Sequence, residues 1–310
     1  MPITVVRDVK REQVWARGFL MGPSGSGKSR GAFEIASRLF GGDLPIVLIN
    51  TQPNQGRLYA DRFKIEALIE IPPNDYHVDR FIEALDAAES IAPGGVVILD
   101  SATHEWYGTN GITQLASRFG DWAKARPLHQ KFVDRLTVMR THLIVTCRAK
   151  MKYEQVEADD GKKSVIALGI GPMQDADFQY EFTLIGVLDR AHECEFSGHV
   201  DALVNTSSLL VDEGADRVAA AYTAWLSEGE PLVLPEAAEP EAVDLLTQML
   251  LAEGHAAELI EERFQRIRRE NQGVLTAEYV TGAAKAAVER AAAKNPPPEP
   301  AADPAAGSSE

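Results

Sequence analysis

Apolar runs and helix-period stretches alternate along the first half of the chain. Residues 14–21 hold enough apolar and aromatic side chains for a strand, and Pro45-Ile46-Val47-Leu48-Ile49-Asn50 is almost wholly apolar. Val96-Val97-Ile98-Leu99 leads into Asp100-Ser101, and His142-Leu143-Ile144-Val145-Thr146-Cys147 has the same buried character. Uninterrupted apolar runs of this length are typical of strands covered on both faces, as in a parallel sheet. Between them lie helical spacings. Phe33, Ala36 or Ser37, and Phe40 share one face and stop at Gly41-Gly42; Val78, Phe81, Ile82 and Leu85 share another within 76–91; a third helix is expected over 127–140. Strands alternating with helices predict an α/β fold with a doubly wound, mainly parallel sheet.

The pattern then changes. Residues 151–156 and 162–168 flank Ala158-Asp159-Asp160-Gly161, and Asp-Gly between two strand-like runs predicts a β-hairpin extension. Further strands are expected at 178–188 and 192–196. From Asp212 the chain reads as helical and Ala-rich. Residues 231–240 resemble a linker. Leu245, Leu246, Met249, Leu250, Leu259, Ile260, Phe264 and Ile267 recur at helical spacing in 241–294, a small helical C-terminal module. Residues 295–310 are rich in Pro, Ala and Ser and read as a disordered acidic tail. The expected domains are therefore 1–230, a linker at 231–240, the module at 241–294, and the tail.

Composition changes this picture in three places. No apolar run approaches the ~18–20 residues a bilayer span needs, and the N-terminus shows no apolar signal-peptide core. Two cysteines, Cys147 and Cys194, cannot build a disulfide framework, so a reducing, cytoplasmic setting is expected. The net charge of −15 is uneven: residues 211–310 hold 8 Lys/Arg against 19 Asp/Glu. Residues 118–152 instead carry nine basic side chains against Asp121 and Asp134, which is either a solvated helix face or a surface for a polyanion.

Candidate chemistry is densest after the first strand. Gly22-Pro23-Ser24-Gly25-Ser26-Gly27-Lys28-Ser29 fills every fixed position of the phosphate-loop pattern G-x-x-x-x-G-K-[ST]. The glycines allow successive N–H groups to converge on a phosphate without a Cβ in the way. Lys28 can reach the terminal phosphate oxygens, Ser29 can offer its hydroxyl to Mg²⁺, and the helix that follows presents its positive end. Strand, loop and helix occur in the required order. ATP with Mg²⁺ is thus the expected ligand, held by residues 22–29 and by Arg30. Asp100, at the end of an apolar strand, is the expected second metal-holding group, as in the Walker B arrangement.

The residue after Asp100 is Ser101, whereas hexameric AAA+ motors carry Glu there, so the chain looks unlike that branch. It resembles instead phage-encoded RecA-like ATPases, the group that includes single-strand annealing recombination proteins. The resemblance rests on the GPSGSGKS loop, INTQ followed by GRLYAD at 56–61, VVILDSATHEW at 96–106, Trp122 and His129, HLIVTCRAKMKY at 142–153, the hairpin after it, and QYEF at 179–182. It covers about residues 15–200. It implies a RecA-like P-loop ATPase acting on single-stranded DNA, assembled as a homo-oligomer and housed in the host cytoplasm.

What the resemblance implies for single residues departs from the family at one point. The family's Asp-Thr-Glu is Asn50-Thr51-Gln52 here, and Gln cannot take a proton from water at neutral pH. Gln52 is then a water-positioning residue in a slow ATPase, the sign of a lost base, or simply a turn residue; Glu105 is a possible substitute base. Arg148 and Lys150 occupy the position that senses nucleotide state, in cis or across a subunit interface. Lys152, Tyr153, Lys162 and Lys163 fall on or beside the hairpin, where cations meet phosphates and an aromatic ring can stack on a base. Trp106 and Tyr107 could stack in the same way, though core packing explains them better.

Two other readings compete. An ATP-dependent switch, loader or scaffold that hydrolyses little, acting through protein partners of the C-terminal module or tail, is favoured by Gln52 and the acidic excess. A small-molecule kinase would need an Arg-rich lid and no hairpin. His192, Cys194 and His199 offer only three zinc ligands without paired spacing, and Cys194 fits better as the buried side of a strand.

Overall fold

The computed structural model describes residues 8–157, 163–231, 238–270 and 275–294. The chain divides into two compact units, Met1–Val233 and Leu234–Glu310.

The first unit is built on a nine-stranded sheet. Strands β1 (Arg17–Gly22), β2 (Ile46–Asn50), β3 (Ala67–Glu70), β4 (Val96–Asp100), β5 (His142–Glu157) and β7 (Leu184–Leu188) are parallel, in the order β3-β2-β4-β5-β1-β7. Beyond β7 the antiparallel strands β8 (Glu193–Gly198) and β9 (Ser207–Leu209) extend the edge. Strand β6 (Lys163–Pro172) pairs only with the outer half of β5, antiparallel from Ala149↔Pro172 to Glu157↔Lys163, with a register shift between Lys152 and Tyr153.

The side-chain period of two explains the wholly apolar strands. Phe19, Val47, Ile49, Val97, Leu99, Leu143 and Val145 face one layer with α2 (Val78–Ile91), α3 (Thr103–Tyr107), α4 (Ile112–Leu115) and α5 (Trp122–Val138). Leu20, Ile46, Leu48, Val96, Ile98 and Ile144 face the other, against α1 (Lys28–Ala36) and α6 (Asp212–Leu226). The expected α/β fold with a mainly parallel sheet is the one observed.

Several expected elements differ. Residues 178–181 form a single 3₁₀ turn rather than the start of a strand. Asp175 Oδ1 accepts the Asp177 N–H, so the chain is still turning there and pairing begins at Leu184. Strands β3 and β9 had no clear sequence signal, being four and three residues long. Helix α5 starts at Trp122, five residues ahead of Pro127, which sits inside it. There Pro forfeits the ladder bond that an N–H at 127 would make to the Ala123 carbonyl. The Asp-Gly turn at 158–161 lies outside the described residues.

The second unit contains α7 (Pro240–Ala252), α8 (Ala257–Glu270) and α9 (Ala277–Lys294). Its own core is Leu246, Leu250, Ile260, Phe264, Leu275 and Val280.

Candidate functional site

The loop between β1 and α1 is shaped by close approaches. At Gly22 a Cβ would lie 2.4 Å from the Leu188 carbonyl oxygen and 2.6 Å from Ser26 Oγ, so no larger residue fits. Gly27 has φ +89°, the left-handed conformation that glycine adopts without strain, and it turns the chain directly into α1. Lys28 Nζ donates to the Pro23 carbonyl at 2.8 Å, which holds the ammonium across the loop. Burial keeps this ammonium below its ordinary pKa, against the pull of Asp100. Ser26 Oγ is fully buried and makes no hydrogen bond within the described residues. A buried hydroxyl without a partner is costly, and a phosphate oxygen is the group such a loop would supply it with.

Beside the loop, strand β4 delivers Asp100, which is almost wholly buried. Thr146 Oγ1 donates to Asp100 Oδ1 at 2.5 Å and Gln52 Nε2 donates to the same oxygen at 3.2 Å. Among the described residues Oδ2 accepts no hydrogen bond, which leaves it for a cation. Tyr59 lies beside Ser29, and burial together with the Asp100 charge raises the Tyr59 pKa. Hydroxyl and carboxylate oxygens on neighbouring elements suit Mg²⁺, a hard cation that takes few protein ligands. The residues present therefore fit ATP with Mg²⁺.

Gln52 is the junction of this half of the site. Its side-chain oxygen accepts from Arg148 Nη2 at 3.3 Å while its amide nitrogen serves Asp100. Asn50 fixes the turn that presents it: Asn50 Oδ1 accepts the Gln52 N–H and Asn50 Nδ2 donates to the Gln52 carbonyl. Arg148 is anchored at its own backbone N–H by Thr103 Oγ1, 2.8 Å away. The structure thus brings Gln52, Asp100 and Arg148 together.

Glu105 stands apart from them. It is 0% exposed, with Oε1 3.0 Å from His129 Nδ1 and Oε2 accepting from Gln174 Nε2 at 2.9 Å. Both oxygens are engaged on the α5 side of the sheet. Lys150 is exposed, its Nζ 5.3 Å from the centre of the Tyr107 ring. Lys152 is half-buried on the hairpin stem. Tyr153 and Lys163 lie on β5 and β6, and Lys162 lies outside the described residues. Trp106 is core, packed on Trp122 and His129.

The basic stretch 118–152 is not one surface. Arg135 is buried and paired with Asp86 and Glu89 at 2.5 Å each, and Arg140 is also buried. Arg126 lies over the Trp122 ring.

Sequence reasoning missed His104. Its Nδ1 is 2.6 Å from Thr51 Oγ1, its ring stacks on Tyr76, and the Tyr76 hydroxyl donates to the Thr51 carbonyl. Burial, aided by Arg148, pushes the His104 pKa down to about 4, so the ring is neutral at pH 7. Thr51 Oγ1 also accepts the Ser101 N–H, which ties the ends of β2 and β4 together. Thr146 and Tyr59 were missed as well; each lay within a quoted run but carried no signal of its own.

Loop, buried ammonium and strand-end carboxylate on a parallel sheet define a P-loop ATPase. A profile of the AAA domain family matches residues 15–219, and the chain belongs to that family. Among solved structures the chain is similar to the KaiC-like protein PH0186 from Pyrococcus horikoshii OT3, at 20% identity and a TM-score of 0.32, covering 55% of this chain and 69% of that one. No curated protein matches the chain. Among the described residues no helix is long and apolar enough to cross a membrane, and no three His, Cys, Asp or Glu side chains are grouped to hold a metal ion.

Proposed function

We propose that the chain is a RecA-like ATPase whose nucleotide state controls a grip on single-stranded DNA, in recombination or strand annealing of the kind phages carry out. In this reading residues 22–29 cradle the triphosphate, Arg30 lies beside it, and Ser29 and Asp100 hold Mg²⁺. Bound Mg²⁺ would supply charge neutralisation between the terminal phosphates. Lys28 stabilises charge on the terminal phosphate, and Gln52 orients the attacking water by hydrogen bonds. Arg148 senses whether that phosphate is present.

The observation that carries the reading is the course of β5. One strand runs from Thr146, bonded to Asp100, through Arg148, bonded to Gln52, into the hairpin with β6. Lys152, Tyr153 and Lys163 are the candidate DNA contacts on that extension, with Lys162, outside the described residues, as a fourth, and Lys150 is a second candidate sensor beside Arg148. A single chain in such a site lacks the groups a neighbour supplies, so assembly as a homo-oligomer belongs to the same proposal.

The ATP-dependent switch acting through protein partners is favoured by one observation: both polar ends of Gln52 are already engaged, by Asp100 and Arg148. Steady-state ATP turnover with and without single-stranded DNA, beside Lys28→Ala, separates the two. DNA-stimulated turnover that disappears in the variant is expected. Tight ATP binding with no turnover in either condition would replace the motor by the switch.

A further inference from the structure

Attack of water on a phosphate releases a proton, and two side chains first considered for it do not take it. Gln52 is an amide, and both oxygens of Glu105 are engaged in the core. One imidazole stands beside the junction of Gln52, Asp100 and Arg148. His104 is half-buried, four residues past Asp100, and the charges of Arg148 and Asp100 both act on its ring. From this geometry we propose that His104 accepts, through Nε2, a proton of the attacking water that Gln52 orients. The inference rests on the reading that Gln52 positions this water in an ATPase that turns over.

The hydrogen bonds of Thr51, the residue before Gln52, decide which ring nitrogen is free. Thr51 Oγ1 accepts the Ser101 N–H at 2.8 Å, lies 3.1 Å from the Ser101 carbonyl oxygen and lies 2.6 Å from His104 Nδ1. A hydroxyl has one proton and two acceptor sites. All three contacts are satisfied when it donates to the carbonyl and accepts from the Ser101 N–H and from Nδ1–H. That tautomer leaves the lone pair on Nε2, which has no hydrogen-bond partner among the described residues. Tyr76 fixes the plane of the ring, stacked on it with centroids 4.8 Å apart and planes 18° apart. Tyr76 is itself held by its hydroxyl, which donates to the Thr51 carbonyl at 2.8 Å, and by Gly108, where a Cβ would lie 2.4 Å from the Tyr76 ring. The imidazole is thus locked by one edge on Thr51 and one face on Tyr76.

In the step, the water oxygen bonds to the γ-phosphorus as the bond from that phosphorus to the β–γ bridging oxygen breaks. The electron pair of the broken bond leaves on ADP and the water proton passes to Nε2. The imidazolium then returns the proton to the released phosphate. A loose phosphoryl-transfer transition state asks little of its base, so a weak one suffices. Burial, then Arg148, pushes the His104 pKa down to about 4, close to the ~4.3 of a glutamate at position 52. Asp100 pulls the other way, and Tyr76 faces the ring as an uncharged phenol whose pKa burial raises. The ring is neutral at pH 7 and so already in its accepting form.

Steady-state ATP hydrolysis by the full chain tests this with His104→Asn and His104→Gln, rates being expressed per ATP-binding site counted by calorimetry so that misfolded molecules do not enter. Asn keeps a donor near the Nδ1 position, and with it the bond to Thr51, but has nothing at Nε2. Its kcat is expected to fall by about 10²-fold or more while KM stays within about threefold. Gln places near the Nε2 position an amide that can hydrogen-bond water without taking its proton, and kcat should fall at least about tenfold. A smaller loss in either variant, or a loss carried by KM instead of kcat, would reduce His104 to a brace for Thr51 and overturn the proposal while the ATPase reading stands. ATP binding without turnover in the unaltered chain would overturn the hydrolytic reading, and the proton acceptor with it.

Discussion

Arg148 and Asp100 never touch, yet Gln52 joins them: its oxygen accepts from the guanidinium at 3.3 Å and its nitrogen donates to the carboxylate at 3.2 Å. The amide suits both neighbours because it has one acceptor end and one donor end. A carboxylate at this position would keep the bond to Arg148 and lose the one to Asp100.

Gln52→Glu separates positioning from proton transfer. General bases contribute about 10²–10⁴-fold where they are in reach of the attacking water. Turnover by the variant should rise at least about tenfold at neutral pH, on that scale, and saturate at lower Mg²⁺, because a second carboxylate beside Asp100 strengthens the pull on a cation. Unchanged turnover at saturating Mg²⁺ would remove position 52 from the reacting water.

Arg148→Ala should leave ATP affinity within about threefold of the original and abolish stimulation by single-stranded DNA. The backbone N–H of residue 148 keeps its bond to Thr103, so the strand itself is not disturbed. Fluorescence anisotropy of a labelled oligonucleotide, with and without ATP, reports the coupling directly. Persistent ATP-dependent DNA affinity in the variant would move the sensor elsewhere.

Glu105→Ala is expected to act on stability. It strands His129 Nδ1 in the core and leaves Gln174 Nε2 with only the Ala102 carbonyl, and a buried polar group left without a partner costs about 1–3 kcal/mol. Urea unfolding should show a lower midpoint with an unchanged slope, and turnover of the folded fraction should be retained. Loss of turnover at full stability would make Glu105 a candidate base again.

Acid should weaken the fold through His142. Its Nδ1 accepts the Ala16 N–H at 3.1 Å, which requires an unprotonated nitrogen, and burial with the nearby Arg17 charge pushes its pKa down to about 4. The unfolded chain binds a proton near pH 6.5 and the folded one only near 4. Stability is therefore complete above about pH 6.5 and falls as the pH drops toward 4, by up to ~3 kcal/mol from this residue. His104, also depressed to about 4, adds in the same direction. Thermal melts of His142→Gln between pH 4 and 7 should show a shallower slope than the unaltered chain.

The parallel sheet was legible because its strands are covered on both faces and so read as unbroken apolar runs. The loop was legible because phosphate chemistry tolerates few substitutions at Gly22, Gly27 and Lys28. Less could be read where function depends on pairs distant in sequence. Thr146 meets Asp100 only after β5 has been placed beside β4, and His104 meets Thr51 only after β2 has been. The nine cations of 118–152 looked like one surface because spacing cannot show that Arg135 faces Asp86 and Glu89 across two helices. Glu105 failed to join the site for the same reason: its partners, His129 and Gln174, come from 24 and 69 residues away.

Strand β5 spans 16 residues, and only its first part is held by parallel neighbours on both sides. The stretch from Arg148 to Glu157 extends ~30 Å at strand rise. Such a projection is a lever arm with its fulcrum at the edge of the nucleotide site. A rotation of about 5° at Arg148, too small to disturb the sheet, would carry the tip by roughly 3 Å. That is enough to make or break a hydrogen bond at the tip. The register shift between Lys152 and Tyr153 falls partway along the arm, and the stiffness of that joint would set how much of the stroke arrives.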